Sequence, residues 1–374
     1  MNISALKYSI ILNLKNIPGP TVNKKIVVIE ADDYGGIRIP SVEAYQKMKI
    51  AGVDIDASRY NLLDSLENSA DLEALFETLQ TVKDKNGHAA VFSPFVNVAN
   101  PDFEKIKAAN YQQYFYEPFT STYKKYGRES NLMTVWQQGI SAGLFTPEFH
   151  GREHLSVQPW MNELQKGNQQ VRTALEYGFV AVNNISGIHQ YAQELRPEFY
   201  FTSENQQPFL HQSILEGVQL FKQIFGYMPN AFTPSNSHFH RHFEKTVFEA
   251  GVKFLCVGHN NPYSASNGEL AFERFTFRQK IKSGKLNYYI RNCAFEPNDP
   301  AYRNTDITMM QVEAAFRCRT PAIISTHRVN FGGAINPQNR HKGLKELQVL
   351  LKAIVERWPD VAFMSNAEML EELS

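Results

Sequence analysis

Apolar positions along this chain fall into two alternating textures. Short runs rich in β-branched residues, at 26–30, 89–96, 144–149, 179–183, 254–257, 287–291, 322–326 and 361–364, predict buried strands. Longer stretches space their apolar residues three and four apart. In 71–83, Leu72, Leu75, Phe76 and Leu79 share one helical face. Helices are also expected over 42–51, 131–141, 208–225, 239–250, 306–317 and 342–357. Strands alternating with helices of this length make βαβ units and a parallel sheet. About seven such units fit a closed or nearly closed barrel better than a doubly wound sheet. No Gly-x-Gly-x-x-Gly follows the first strand, which weakens the dinucleotide-binding alternative. A barrel of this kind places its chemistry just after its strands, so polar residues of interest should fall there.

Residues 24–374 read as a single barrel domain, preceded by an extension at 1–23. The segment 99–128, rich in Tyr, Phe and Lys and only weakly periodic, reads as an insertion or lid after the second or third strand. Its aromatics could stack on sugar rings or form a small satellite core.

Composition narrows the classes. The 374 residues carry 38 basic and 38 acidic side chains, a formal net charge of zero, which disfavours nucleic acid and membrane surfaces as partners. The first apolar run is short, broken by Asn13 and flanked by Lys7 and Lys15. It makes no export signal, and no stretch approaches the ~20 apolar residues of a membrane span. A cytoplasmic protein is expected. The three cysteines, Cys256, Cys293 and Cys318, lie in or beside apolar runs at unrelated spacings, as buried small hydrophobes in a reducing compartment would.

Three groups of residues carry candidate chemistry. Asp32 and Asp33 directly follow the first strand; two adjacent carboxylates there need a cation or a hydrogen-bond network, or else serve a turn. His150 and His154 follow the strand at 144–149 with a spacing that puts two imidazoles on one face of a helical turn, the geometry that chelates a divalent cation. His238 and His242 repeat that spacing, with His240 between them, so one of the two pairs is expected not to be the metal site. His327 ends the strand at 322–326 and is placed for general acid or base work.

The order Asp-Asp-x-Gly, H-x-x-x-H, a Pro-containing loop before a helix, then a strand-end His resembles the polysaccharide deacetylase family (carbohydrate esterase family four), in a deacetylase-like branch. GYMPNAFTPSNSHFHRHFEKTVFEAGVKFL is similar to the family's third motif, and RNCAFEPN and IISTHRVNFGG to blocks of that branch. The resemblance implies a distorted (β/α) barrel of about seven strands. It makes Asp32 the catalytic base, Asp33, His150 and His154 the metal ligands, and His327 the acid. The implied activity is metal-dependent removal of N- or O-linked acetyl groups from a carbohydrate or small molecule. Zinc suits the ligand set, with cobalt or nickel as alternatives. The backbone N–H of Ser235 is the implied oxyanion donor. Tyr34, Pro234, Asn236, His238 and His240 are candidate substrate contacts, with Glu296 and Arg328 supporting them. Phe232 stands where the family carries an arginine that tunes the base, and Asn236 where it carries a glycine; Arg38, Arg291 or Arg328 could replace the arginine. The 117 positions from Asp33 to His150 imply an insertion. Two other readings remain: a metal-free glycosidase pairing Asp32 with Glu296, and a catalytically silent sugar-binding relative.

Overall fold

The computed structural model describes residues 3–17, 20–56, 58–275, 286–299 and 305–373. Its main sheet has nine strands, all paired in parallel, labelled here β1 (Ile26–Tyr34), β2 (Phe92–Val96), β3 (Glu148–Phe149), β4 (Ala231–Phe232), β5 (Phe254–Cys256), β6 (Asn287–Tyr289), β7 (Cys293–Ala294), β8 (Ala322–His327) and β9 (Ala362–Phe363). The lateral order is β6-β5-β4-β3-β2-β1-β8-β7. β9 pairs with Ile26 and Val27 of β1, below the point where β2 takes over that edge at Ile29.

Chain connectivity forces this sheet to curl. The two ends of the path, β6 and β7, are separated in sequence only by Ile290, Arg291 and Asn292. Four Cα steps span at most ~15 Å, whereas eight strands laid flat would put those ends roughly 34 Å apart at ~4.8 Å per strand. The sheet therefore wraps into a (β/α) barrel, open between β6 and β7. The apolar residues of β1 are buried throughout, as a strand covered on both faces requires.

Most predicted elements are present with shifted bounds. The helix expected at 71–83 is Ser69–Gln80, opened by a reciprocal capping box between Asn68 and Asp71, with Leu72, Leu75, Phe76 and Leu79 buried as their spacing predicts. The run at 179–183 is a correction: it is buried but pairs with no strand, turning on itself through Val182 N–H to the Val180 carbonyl and reaching Asp54 through Asn183. Burial was readable there, but a ladder partner was not. The helix expected at 239–250 is a 3-10 turn at Arg241–Phe243 followed by Glu244–Glu249. Helices at Val157–Gln165 and Gln169–Glu176 and an antiparallel pair, Asn260–Ser264 with Leu270–Arg274, were not anticipated.

The extension at 1–23, of which 1, 2, 18 and 19 lie outside the described residues, contains a helix, Ile3–Asn16. It is docked on the barrel: Asn16 Oδ1 accepts from Asn292 at 2.8 Å and from Thr320 at 3.1 Å. The segment 99–128 pairs Ala99–Pro101 with Tyr116–Pro118 and carries helices Phe103–Ala108 and Phe119–Lys125. Phe119 and Tyr123 are buried, packed near Trp136 and Phe225, and none of the segment lines the cavity described below. Its apolar side chains join the main core, so it is neither a lid on the cavity nor a separate satellite core. Among the described residues no helix is long and apolar enough to cross a membrane.

Candidate active site

The C-terminal ends of β1, β3, β4 and β8, with the gap between β6 and β7, surround one cavity of about 690 Å³. Asp32, Asp33, His150, His154 and His327 all line it.

Adjacent residues of a regular strand face opposite ways, yet both aspartates face this cavity. The register of β1 against β2 slips between Ala31 and Tyr34, and Asp33 adopts φ 78°. This bulge swings the second carboxylate to the side of the first. Asp32 stays in register with its neighbour: on β1 and β8 it is the direct partner of His327. His327 Nε2 lies 3.9 Å from Asp32 Oδ2.

His150 and His154 are not on a helix, which corrects the expected helical turn. They sit on an irregular loop before the helix Val157–Gln165, bent at Gly151 with φ 110°. A Cβ at Gly151 would lie 1.9 Å from Glu198 Oε2, so the bend requires glycine twice over. Each imidazole is fixed by its Nδ1: His150 donates to the Thr233 carbonyl at 2.7 Å, and His154 to the Arg196 carbonyl at 2.8 Å. Carbonyls only accept, so Nδ1 carries the proton and Nε2 presents a bare lone pair. Both Nε2 atoms face Asp33 Oδ1, at 3.7 Å and 3.2 Å. Burial first, then the charge of Arg196, pushes the His154 imidazole down to about 3, so it is neutral. Three acceptors converging without a donor repel one another unless a cation lies between them. Ligands bound at ~2.1 Å in a tetrahedral zinc site stand roughly 3.4 Å apart, so this spacing fits a small divalent ion. Among the described residues this is the one acid, histidine or cysteine cluster with that geometry.

Arg291, from the barrel gap, supplies what Phe232 does not. Its guanidinium clasps Asp32 at 2.6 and 2.8 Å, and its Nε reaches Glu30 at 2.6 Å. Burial alone would raise the Asp32 carboxyl, but Arg291 outweighs it and holds the group below its usual range. Arg38 and Arg328, the other candidates for this task, are engaged elsewhere. Arg38 bonds Asn61 and Glu194, and Arg328, 1% exposed, bonds Asp64 and Glu67.

Glu296 stands behind His327, its Oε1 2.6 Å from Nδ1; its other oxygen takes Asn330 at 2.7 Å and Arg59. Burial would lower the His327 imidazole, but Glu296 prevails and raises it to about 9. The protonated form is therefore favoured at neutral pH. With both oxygens engaged, Glu296 is poorly disposed to act with Asp32 as a glycosidase pair.

Several expected substrate contacts lie away from the cavity. Tyr34 is buried among Phe92, Trp136 and Phe145. The Ser235 hydroxyl accepts from the Glu198 backbone at 2.7 Å. His238 is fully buried, 3.1 Å from the Ser264 hydroxyl, and burial pushes it down to about 3. His240 lies tilted against Tyr263 and caps the following turn, and the His242 ring meets His211. The second histidine cluster therefore diverges. Glu296 and Arg328 act from behind other side chains. Pro234 and Asn236 do line the cavity. Arg38, named only as a possible replacement for the missing arginine, also lines it, and Tyr60, Glu194, Arg196, His259 and Asn292 line it unforeseen.

No family model matches the sequence, and no curated protein is similar to it. Among solved structures, a family 4 acetyl xylan esterase from Clostridium thermocellum, in complex with cobalt, is similar over 93% of this chain and 91% of its own, with 10% identity and a TM-score of 0.37. A peptidoglycan deacetylase from Bacillus subtilis is similar over 94% and 92%, with 9% identity and a TM-score of 0.37. A 4-alpha-glucanotransferase from Thermococcus litoralis matches 93% of this chain at 9% identity and a TM-score of 0.45. This chain spans about two fifths of the glucanotransferase's length, 40%. At such identities activity has to be argued from the site itself.

Proposed function

We propose that this chain is a metal-dependent deacetylase, hydrolysing an N- or O-linked acetyl group on a carbohydrate or similar small molecule. The observation that carries the reading is the histidine pair, fixed by backbone carbonyls so that two bare Nε2 atoms meet the Asp33 carboxylate. Two imidazoles and one carboxylate suit zinc, with cobalt or nickel as alternatives. A divalent ion held there supplies, when bound, polarisation of the acetyl carbonyl and acidification of a water.

The chain's own residues do the rest. Asp32, kept ionised by Arg291, takes a proton from the attacking water. His327, kept protonated by Glu296, donates to the departing amine or alkoxide. The two residues are direct register partners on β1 and β8, with His327 Nε2 3.9 Å from Asp32 Oδ2, which supports their acting on one substrate. The Ser235 backbone N–H, between Pro234 and Asn236 that line the cavity, is the proposed oxyanion donor, although its hydroxyl is turned away to the Glu198 backbone. Arg291 in place of the missing arginine also argues against a silent relative, because the base is tuned.

The test is metal content by elemental analysis, for wild type beside His154→Ala and His242→Ala, followed by acetate release from acetylated sugars. His154→Ala should lose the metal and His242→Ala keep it. The reverse pattern would overturn the site assignment.

A further inference from the structure

Among the described residues, the charges around the cavity leave one arginine without an ion-pair partner in contact. The lining holds Lys15, Arg38, Arg196 and Arg291 against Asp32, Asp33 and Glu194. Arg291 is matched by Asp32, and Arg38 by Glu194 at 3.2 Å. Asp33 faces the histidine pair and belongs to the proposed cation. Lys15 is exposed and solvated.

Arg196 is different. It is 3% exposed, and among the described residues no carboxylate comes within 4.0 Å of its guanidinium, nor has its Nε any hydrogen-bond partner. Burial and then the charge of Arg38 weigh against its guanidinium, and the more distant Asp33, Glu194 and Asp64 do not make up for them. Its own carbonyl holds His154, so the side chain springs from the wall of the metal centre. The two residues before it, Glu194 and Leu195, are both held at positive φ, 68° and 52°, in a loop whose Glu194 is turned to Arg38 rather than to Arg196. A buried guanidinium that the protein does not pair is costly to keep unless something else pairs it. A planar fork of N–H donors opening on a substrate cavity recognises an oxyanion.

We infer that the substrate is acidic: the acetylated molecule carries a carboxylate or phosphate group that Arg196 receives, with Arg38 beside it. This rests on the deacetylase reading and adds the substrate's charge to it.

The experiment is binding rather than turnover. Glucuronate, glucose 6-phosphate and glucose are titrated into the full-length zinc-loaded protein by ligand-observed NMR, for wild type, Arg196→Gln and Arg196→Lys. Wild type should bind at least one acidic sugar about tenfold or more tighter than glucose. The carboxylate and phosphate arms tell which oxyanion is meant. Arg196→Gln should erase the preference and Arg196→Lys retain part of it, with zinc content unchanged because the bond to His154 comes from the backbone. Equal affinity for charged and neutral sugars overturns the inference, and so does a preference that survives Arg196→Gln. An arginine acting only on the transition state would give the first of these results. If wild type prefers the acidic sugar yet releases acetate from no acetylated sugar, the deacetylase reading fails while this inference stands. Equal acetate release from neutral and acidic substrates has the opposite meaning.

Discussion

Replacing Glu296 with Gln removes one charge from a contact of 2.6 Å and should change how His327 titrates. The imidazole lies at about 9 instead of the ordinary 6.5. At ~1.4 kcal/mol per pKa unit this gap is worth roughly 3 kcal/mol, and a ring still 30% exposed brings the figure nearer ~2 kcal/mol. Burial opposes protonation, and Glu296 is the first of the groups favouring it, ahead of Asp33 and Asp32. The Gln variant should thus drop the His327 titration by about 1 to 2 units. In a pH profile of kcat/KM for acetate release, the alkaline limb should move down by that amount while the acid limb stays. A cation bound at Asp33 cancels that residue's contribution, so the limb of the loaded enzyme should lie below that of the metal-free imidazole, read directly by NMR. Stability carries the same sign. A raised imidazole stabilises the fold fully below 6.5 and loses that contribution as pH rises through about 9. Because Glu296, held below its usual range, must also be ionised, the Tm gap between wild type and variant should be widest from about pH 4.5 to 6.5 and close toward pH 9. An alkaline limb and an NMR titration both left in place by the substitution would refute Glu296 as the group that keeps the acid protonated.

Other outcomes follow from the same structure. Arg291→Met strips the clasp from Asp32 and leaves Glu30 and Asp32 buried, which should cost about 3 kcal/mol of stability and move the acid limb of kcat/KM upward, read by denaturant melts and a pH profile. Glu148, fully buried with one oxygen unpaired, is pushed up to about 8 by burial, so its contribution to stability falls as pH rises from 4.5 through about 8. Glu148→Gln should therefore raise Tm at pH 8 and change it little at pH 5; a uniform shift would dismiss the titration. Gly151→Ala forces a methyl onto Glu198 at φ 110° and should cost roughly 2 kcal/mol or more while weakening zinc retention, measured by melting and by competition with a chelator.

The sequence by itself determined the layer architecture, because buried strands and amphipathic helices have different periods that survive without tertiary context. It also determined the place of chemistry, since polar residues following apolar runs must stand at strand ends. Asp32, Asp33, His150, His154 and His327 were legible for that reason. Only the folded chain decided how they meet. Spacing treats His150–His154 and His238–His242 alike, and the difference lies in whether carbonyls 42 or more residues away turn both Nε2 atoms to one point. The bulge that brings Asp33 round beside Asp32 is a property of strand pairing and leaves no trace in composition. Arg291 opens the RNCAFEPN block and Arg196 lies outside every motif, and for both the partners within the site are set only by the fold. Ion pairing depends on distances in space, and a one-dimensional pattern encodes those only where the partners are neighbours in the chain.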